Sequence, residues 1–98
     1  MYYNELQMKW RLREGQGEAI YEIGVEDNGV LAGLTNPDMI ASLDSLNQMA
    51  SKLGATITIL REKVLDNGRN IAEVLIRKVV LLYILLLIFF NSNFGIGT

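Results

Sequence analysis

All twenty charged side chains lie between Glu5 and Lys78, and the twenty residues that follow, Val79 to Thr98, carry no charge. Within that stretch, Val79 to Phe90 is an unbroken run of twelve apolar residues, counting Tyr83. Burying one aliphatic or aromatic side chain is worth about 1.5–3 kcal/mol, so leaving twelve in water forgoes roughly 18–36 kcal/mol, more than the stability of a small domain. The run must therefore enter a membrane, a partner, the surface of its own chain or an aggregate. The chain divides into a charged body, residues 1–79, and an uncharged tail, residues 80–98.

The composition of the body excludes several chemistries. The 98 residues include neither Cys nor His. Disulfides, Cys/His zinc centres, thiol nucleophiles and Ser–His–Asp arrangements are ruled out with them. Nine Lys and Arg against eleven Asp and Glu leave a net charge of −2, so no chain-wide field favours nucleic acid.

The patterning of the body reads as short strands around one helix. Met8, Trp10 and Leu12 alternate with Lys9, Arg11 and Arg13, which predicts a half-buried strand with Trp10 in the core. After the turn Glu14-Gly15-Gln16-Gly17, a second alternation (Ala19, Tyr21, Ile23, Val25) completes an expected hairpin. Asn28-Gly29 suits a tight turn, and Val30-Leu31-Ala32-Gly33-Leu34 reads as a third strand.

Residues 35–54 carry the clearest helix signal. Thr35 and Asn36 can cap it, Pro37 suits a first turn, and Gly54 suits its end. Met39, Leu43, Leu46, Ala50 and Leu53 recur on one face. Ala55 to Leu60 reads as a β-branched strand, Leu65 to Asn70 as a second Asp-Asn-Gly turn, and Ile71 to Val79 as a last strand, with a helix as its alternative. The expected architecture is α+β: a small, mainly antiparallel sheet covered by one helix, in the order β-β-β-α-β-β, followed by an apolar C-terminal helix or tail.

No catalytic, cofactor-binding or metal-ligating set emerges from the motifs. A P-loop needs Gly-Lys followed by Ser or Thr, and no Gly-Lys pair occurs. Gly15-Gln16-Gly17 is a fragment of a dinucleotide fingerprint without a helix after it. Glu22, Glu26 and Asp27 read as a solvated strand end rather than a cation loop. Lys9, Arg11 and Arg13 are the candidate RNA contacts, a cationic stripe that Glu14, Glu18 and Glu22 could neutralise from a neighbouring strand.

As a helix, residues 79–90 would span about 18 Å against about 30 Å of hydrocarbon. Arg77-Lys78 ahead of the run favours a cytosolic body if the tail is an anchor. Met1 to Arg13 is polar and lacks the apolar core of a signal peptide.

The string from Gln7-Met8-Lys9-Trp10-Arg11-Leu12-Arg13 through Ala19-Ile20-Tyr21-Glu22-Ile23-Gly24-Val25 to Glu26-Asp27-Asn28-Gly29 resembles the GTP-binding protein 1 and 2 family. These are translational-type GTPases related to elongation factors 1-alpha and Tu. The likeness continues through Gly54-Ala55-Thr56-Ile57-Thr58-Ile59-Leu60 and fades near Val79. It implies a small accessory domain standing before the G domain, in a cytoplasmic protein whose full length uses GTP and magnesium. No position here matches a GTP-binding residue, so the expectation is a non-enzymatic chain with no cofactor of its own. Its implied partners are the G domain of a parent protein and, through that parent, RNA or the ribosome. The tail departs from the family and is expected to be read-through, an alternative exon or a membrane anchor with the head in the cytosol.

Overall fold

The computed structural model describes residues 3–93. Six elements follow in the order α1 (Glu5–Glu14), β1 (Glu18–Ile23), α2 (Asn36–Lys52), β2 (Ala55–Val64), β3 (Asn70–Lys78) and α3 (Val80–Asn93). The class is α+β, with a three-stranded antiparallel sheet in the order β1-β3-β2.

The first element corrects the alternation expected at Met8 to Arg13, which is helix α1 and not a strand. Met8 and Leu12 stand four residues apart, so the same residues satisfy a helical face, and both are buried. Met, Lys, Arg and Leu are good helix formers, and the segment has no β-branched residue. The ends decide the matter. The Gln7 N–H donates to Asn4 Oδ1 at 2.7 Å, an N-cap, and Glu5 places negative charge in the first turn. At the other end the Gly15 N–H donates to the Arg11 carbonyl at 2.9 Å.

β1 therefore has no preceding strand to pair with, and the expected hairpin across Gly15–Gly17 does not form. It pairs instead with β3, in a register that sets Ala19 against Ile76, Tyr21 against Val74 and Ile23 against Ala72. β3 also pairs antiparallel with β2 across the Asp66-Asn67-Gly68 turn. β1 and β2 thus run parallel on either side of β3. A parallel relation needs a crossover of a dozen residues or more, and α2 supplies it.

α2 occupies nearly the span expected of it. Thr35 is its N-cap, the Asp38 N–H donates to Thr35 Oγ1 at 3.3 Å, and Pro37 lies in the first turn. The anticipated third strand, Val30 to Leu34, is reduced to two isolated bridges, Val25 to Leu31 and Leu34 to Asn70. Gly24 and Gly33 flank this loop with φ of 87° and 74°, a left-handed backbone that ends regular strand geometry. Asn70 holds the loop in place. Its backbone exchanges hydrogen bonds with Leu34, both 2.8 Å, and its amide donates to Asn36 Oδ1 at 2.6 Å.

Two helices, not one, cover the sheet. The alternate residues Ala19, Tyr21, Ile23 of β1 and Ala72, Val74, Ile76 of β3 are buried against Met8 and Leu12 of α1 and Met39, Leu46 and Ala50 of α2. Alanines at 19, 50, 55 and 72 let the helices approach the sheet closely. β2 kinks at a bulge between Ile59 and Arg61. α3 continues from the end of β3, and its Leu85, Leu86, Leu87 and Ile88 are exposed. No helix among the described residues is long and apolar enough to cross a membrane. Residues 94–98 of the expected tail lie outside the described residues.

Candidate functional site

The cationic stripe expected on a strand is redistributed by the helix. Lys9 and Arg13, four residues apart, share the exposed side of α1. Trp10 joins them there, 52% exposed, where the alternation predicts a core position. The Arg13 guanidinium lies 5.8 Å from the centroid of the Trp10 ring. Arg11 turns the other way, toward the sheet, lying 4.2 Å over the Tyr21 ring and donating to the Ile20 carbonyl at 2.6 Å. The structure thus brings Lys9 and Arg13 together beside an aromatic ring and removes Arg11 from the group.

Of the glutamates expected to screen the stripe, Glu18 is engaged elsewhere. Glu18 pairs with Arg77 across the strand register at 3.2 Å. Glu5, at the start of α1, meets Lys52, at the end of α2, at 4.0 Å.

An open concavity of about 1180 Å³ lies between α1, the outer edge of β1 and the 24–34 loop. Tyr3, Arg11 and Tyr21 line it, together with Glu22, Glu26 and Asp27. Tyr3 and Tyr21 meet edge to face, with ring centroids 5.8 Å apart. The Tyr3 hydroxyl is buried and has no hydrogen-bond partner among the described residues. Burial, and secondarily the neighbouring Tyr21, push its pKa up to about 12. These three acids are exposed, and among the described residues no group of three or more carboxylates gathers to hold an ion.

The glycine-rich turn acquires a definite polarity. Gly15-Gln16-Gly17 follows the C-terminus of α1 and leads into β1. Its three N–H groups are already engaged with the carbonyls of Arg11, Arg13 and Leu12. A phosphate loop has the opposite arrangement, a strand leading into a helix whose free N–H groups and positive dipole end face the anion. The N-termini of α1 and α2 are in turn capped by Asn4 and Thr35 and carry Glu5 and Asp38 in their first turns.

Sequence comparison places this arrangement in context. The chain is 60% identical over 77 residues to GTP-binding protein 2 of Mus musculus and of Homo sapiens, and each match takes in 74% of the chain. It is 38% identical over 74 residues to GTP-binding protein 1 of Xenopus laevis, which takes in 76% of the chain. Over that stretch the chain is similar to GTP-binding proteins 1 and 2. It spans only 13% of the length of the GTP-binding protein 2 relatives and 11% of the GTP-binding protein 1 relative. No protein-family model and no solved structure matches the chain.

The Trp10 surface and the Tyr3–Arg11–Tyr21 cluster were not legible as sites. The signals that could have revealed them were Asn4 and Gln7 at cap spacing and Met8 and Leu12 at helical spacing. Together these turn Trp10 outward and Arg11 inward.

Proposed function

We propose that this chain is a non-catalytic interaction module of the GTP-binding protein 1 and 2 family. In this reading it is the small cytoplasmic domain that stands before the guanine-nucleotide domain of an elongation-factor-like GTPase, and it neither binds nor hydrolyses GTP itself. The observation that carries the reading is the polarity of the Gly15–Gly17 turn: its amides are engaged with the end of α1 and face no free helix N-terminus. The 60% identity over a small fraction of a protein named for GTP binding supports family membership.

The module acts through its surfaces, and its first partner is the remainder of such a GTPase. The test is binding in trans. The full chain is titrated against GTP-binding protein 2 from which the matching segment has been deleted. Saturable binding to the deleted protein, with much weaker binding to the intact one, is expected. Equal or absent binding to both overturns the reading.

A second reading rests on exposed Trp10 beside Lys9 and Arg13. An aromatic ring flanked by cations stacks an unpaired base while the cations meet phosphates. RNA affinity should then fall with salt and with Trp10→Ala. Salt-independent affinity, or affinity unchanged by Trp10→Ala, would count against RNA contact.

A further inference from the structure

We propose that α3 is a lipid-docking element that inserts into one leaflet of an anionic bilayer without crossing it. The inference stands apart from the family reading and rests on the shape, length and flanking charge of this one helix.

α3 has fourteen residues, which at 1.5 Å each is about 21 Å, short of the roughly 30 Å of a hydrocarbon core. From Val80 to Phe90 the Tyr83 hydroxyl is the single polar side-chain group in the sequence, too little to make a face suited to water. Leu85, Leu86, Leu87 and Ile88 are exposed on consecutive positions, which on a helix covers the whole circumference. A protein groove covers one stripe of a helix, whereas acyl chains surround it on every side. An apolar helix exposed on every side along residues 85–88 therefore fits lipid.

The charge around the helix selects the lipid. Arg77 and Lys78 are exposed immediately before α3, and no acidic residue follows Glu73. Both cations lie where headgroups meet the entering chain; Arg77 is shared with Glu18 at 3.2 Å, so Lys78 is the stronger draw on anionic lipid. At the far end, Asn91, Ser92 and Asn93 are polar and favour the interface over the bilayer centre. With both ends at headgroup level, the helix lies within a single leaflet and keeps the sheet and its helices outside the membrane.

The test is flotation of the full chain with vesicles of phosphatidylcholine alone or with about one-third phosphatidylserine. The expected result is flotation with the anionic vesicles, weakened about five-fold by Lys78→Gln and further, by a smaller factor, when Arg77→Gln is added. Leu86→Asp should abolish it while leaving the body's circular dichroism intact, since α3 lies outside the buried core. Because the chain has no Cys, Asn91→Cys gives one reporter thiol. It should react with a membrane-impermeant maleimide added outside the vesicles. Sedimentation as a lipid-free aggregate overturns the proposal. So does flotation indifferent to lipid charge, to both cations or to Leu86→Asp. A reporter thiol that reacts only after the vesicles are opened means that the helix crosses, and that also overturns it.

Discussion

The Arg11 guanidinium lies 4.2 Å over the ring of Tyr21 and donates at 2.6 Å to the carbonyl of the neighbouring Ile20. One side chain thereby ties α1 to β1 and covers part of the free edge of the sheet, which would otherwise present unpaired backbone groups. Arg11→Ala should lower stability by about 1–2 kcal/mol, the loss of a cation–π contact and a charge-assisted hydrogen bond. Urea denaturation checks this through a lower midpoint at an unchanged slope. If RNA contacts the module, Arg11→Ala should leave its affinity nearly unchanged, whereas Arg13→Ala should reduce it.

Tyr3 offers a pH test with a defined sign. Its hydroxyl is buried with no partner among the described residues, and its pKa is raised to about 12. The folded chain thus holds the phenol proton more tightly than the unfolded chain, whose Tyr titrates near 10. The associated stability is fully present below pH 10 and is lost as the pH rises from about 10 to about 12. Tyr3→Phe removes a hydroxyl that has no bond to lose. It should change neutral-pH stability by less than about 1 kcal/mol in either direction. It should also flatten the alkaline decline relative to the parent chain, as measured by denaturation at a series of pH values.

Gly24 and Gly29 share a left-handed backbone, with φ of 87° and 86°, but differ in their surroundings. A Cβ at Gly24 would lie 2.8 Å from the Asn70 carbonyl oxygen, while a Cβ at Gly29 would meet nothing within 4 Å. Gly29→Ala should cost about 1 kcal/mol, the conformational penalty alone. Gly24→Ala adds a backbone clash at the junction of loop, α2 and β3, and should cost upward of about 2 kcal/mol. Thermal melts of the two variants should separate clearly; equal losses would mean that the loop does not pack on Asn70.

Trp10 and Leu12 separate the helical reading of residues 5–14 from the strand that their alternation suggests. Leu12 is 1% exposed and Trp10 is 52% exposed. Leu12→Ala should cost about 2–5 kcal/mol and Trp10→Ala under about 1 kcal/mol, although Trp is the larger residue. A reversed order would restore the strand and return Trp10 to the core.

α2 was legible in the sequence almost to the residue because Thr35, Pro37 and Gly54 act locally, through one cap, one fixed φ and one left-handed terminator. β2 and β3 were legible from β-branched content and the Asp-Asn-Gly turn between them. α1 was not, because Met8-Lys9-Trp10-Arg11-Leu12-Arg13 satisfies both an alternation and an i, i+4 spacing. Only the caps at Asn4 and Gly15 discriminate. The partner of β1 was hidden for a different reason: Ala19 meets Ile76 across most of the chain, and such a pairing leaves no local mark. The ambiguity of α1 extends to the candidate site. Lys9, Arg11 and Arg13 stand out as residues, but the surface each occupies depends on whether their segment winds or extends.

The most direct measurement is a calorimetric titration of the full chain with GTP and magnesium. An interaction module whose glycine turn closes a helix C-terminus should give no saturable heat of binding and release no phosphate over time. Saturable binding that GDP displaces and ATP does not would contradict that reading, because it would require a nucleotide site in these 98 residues.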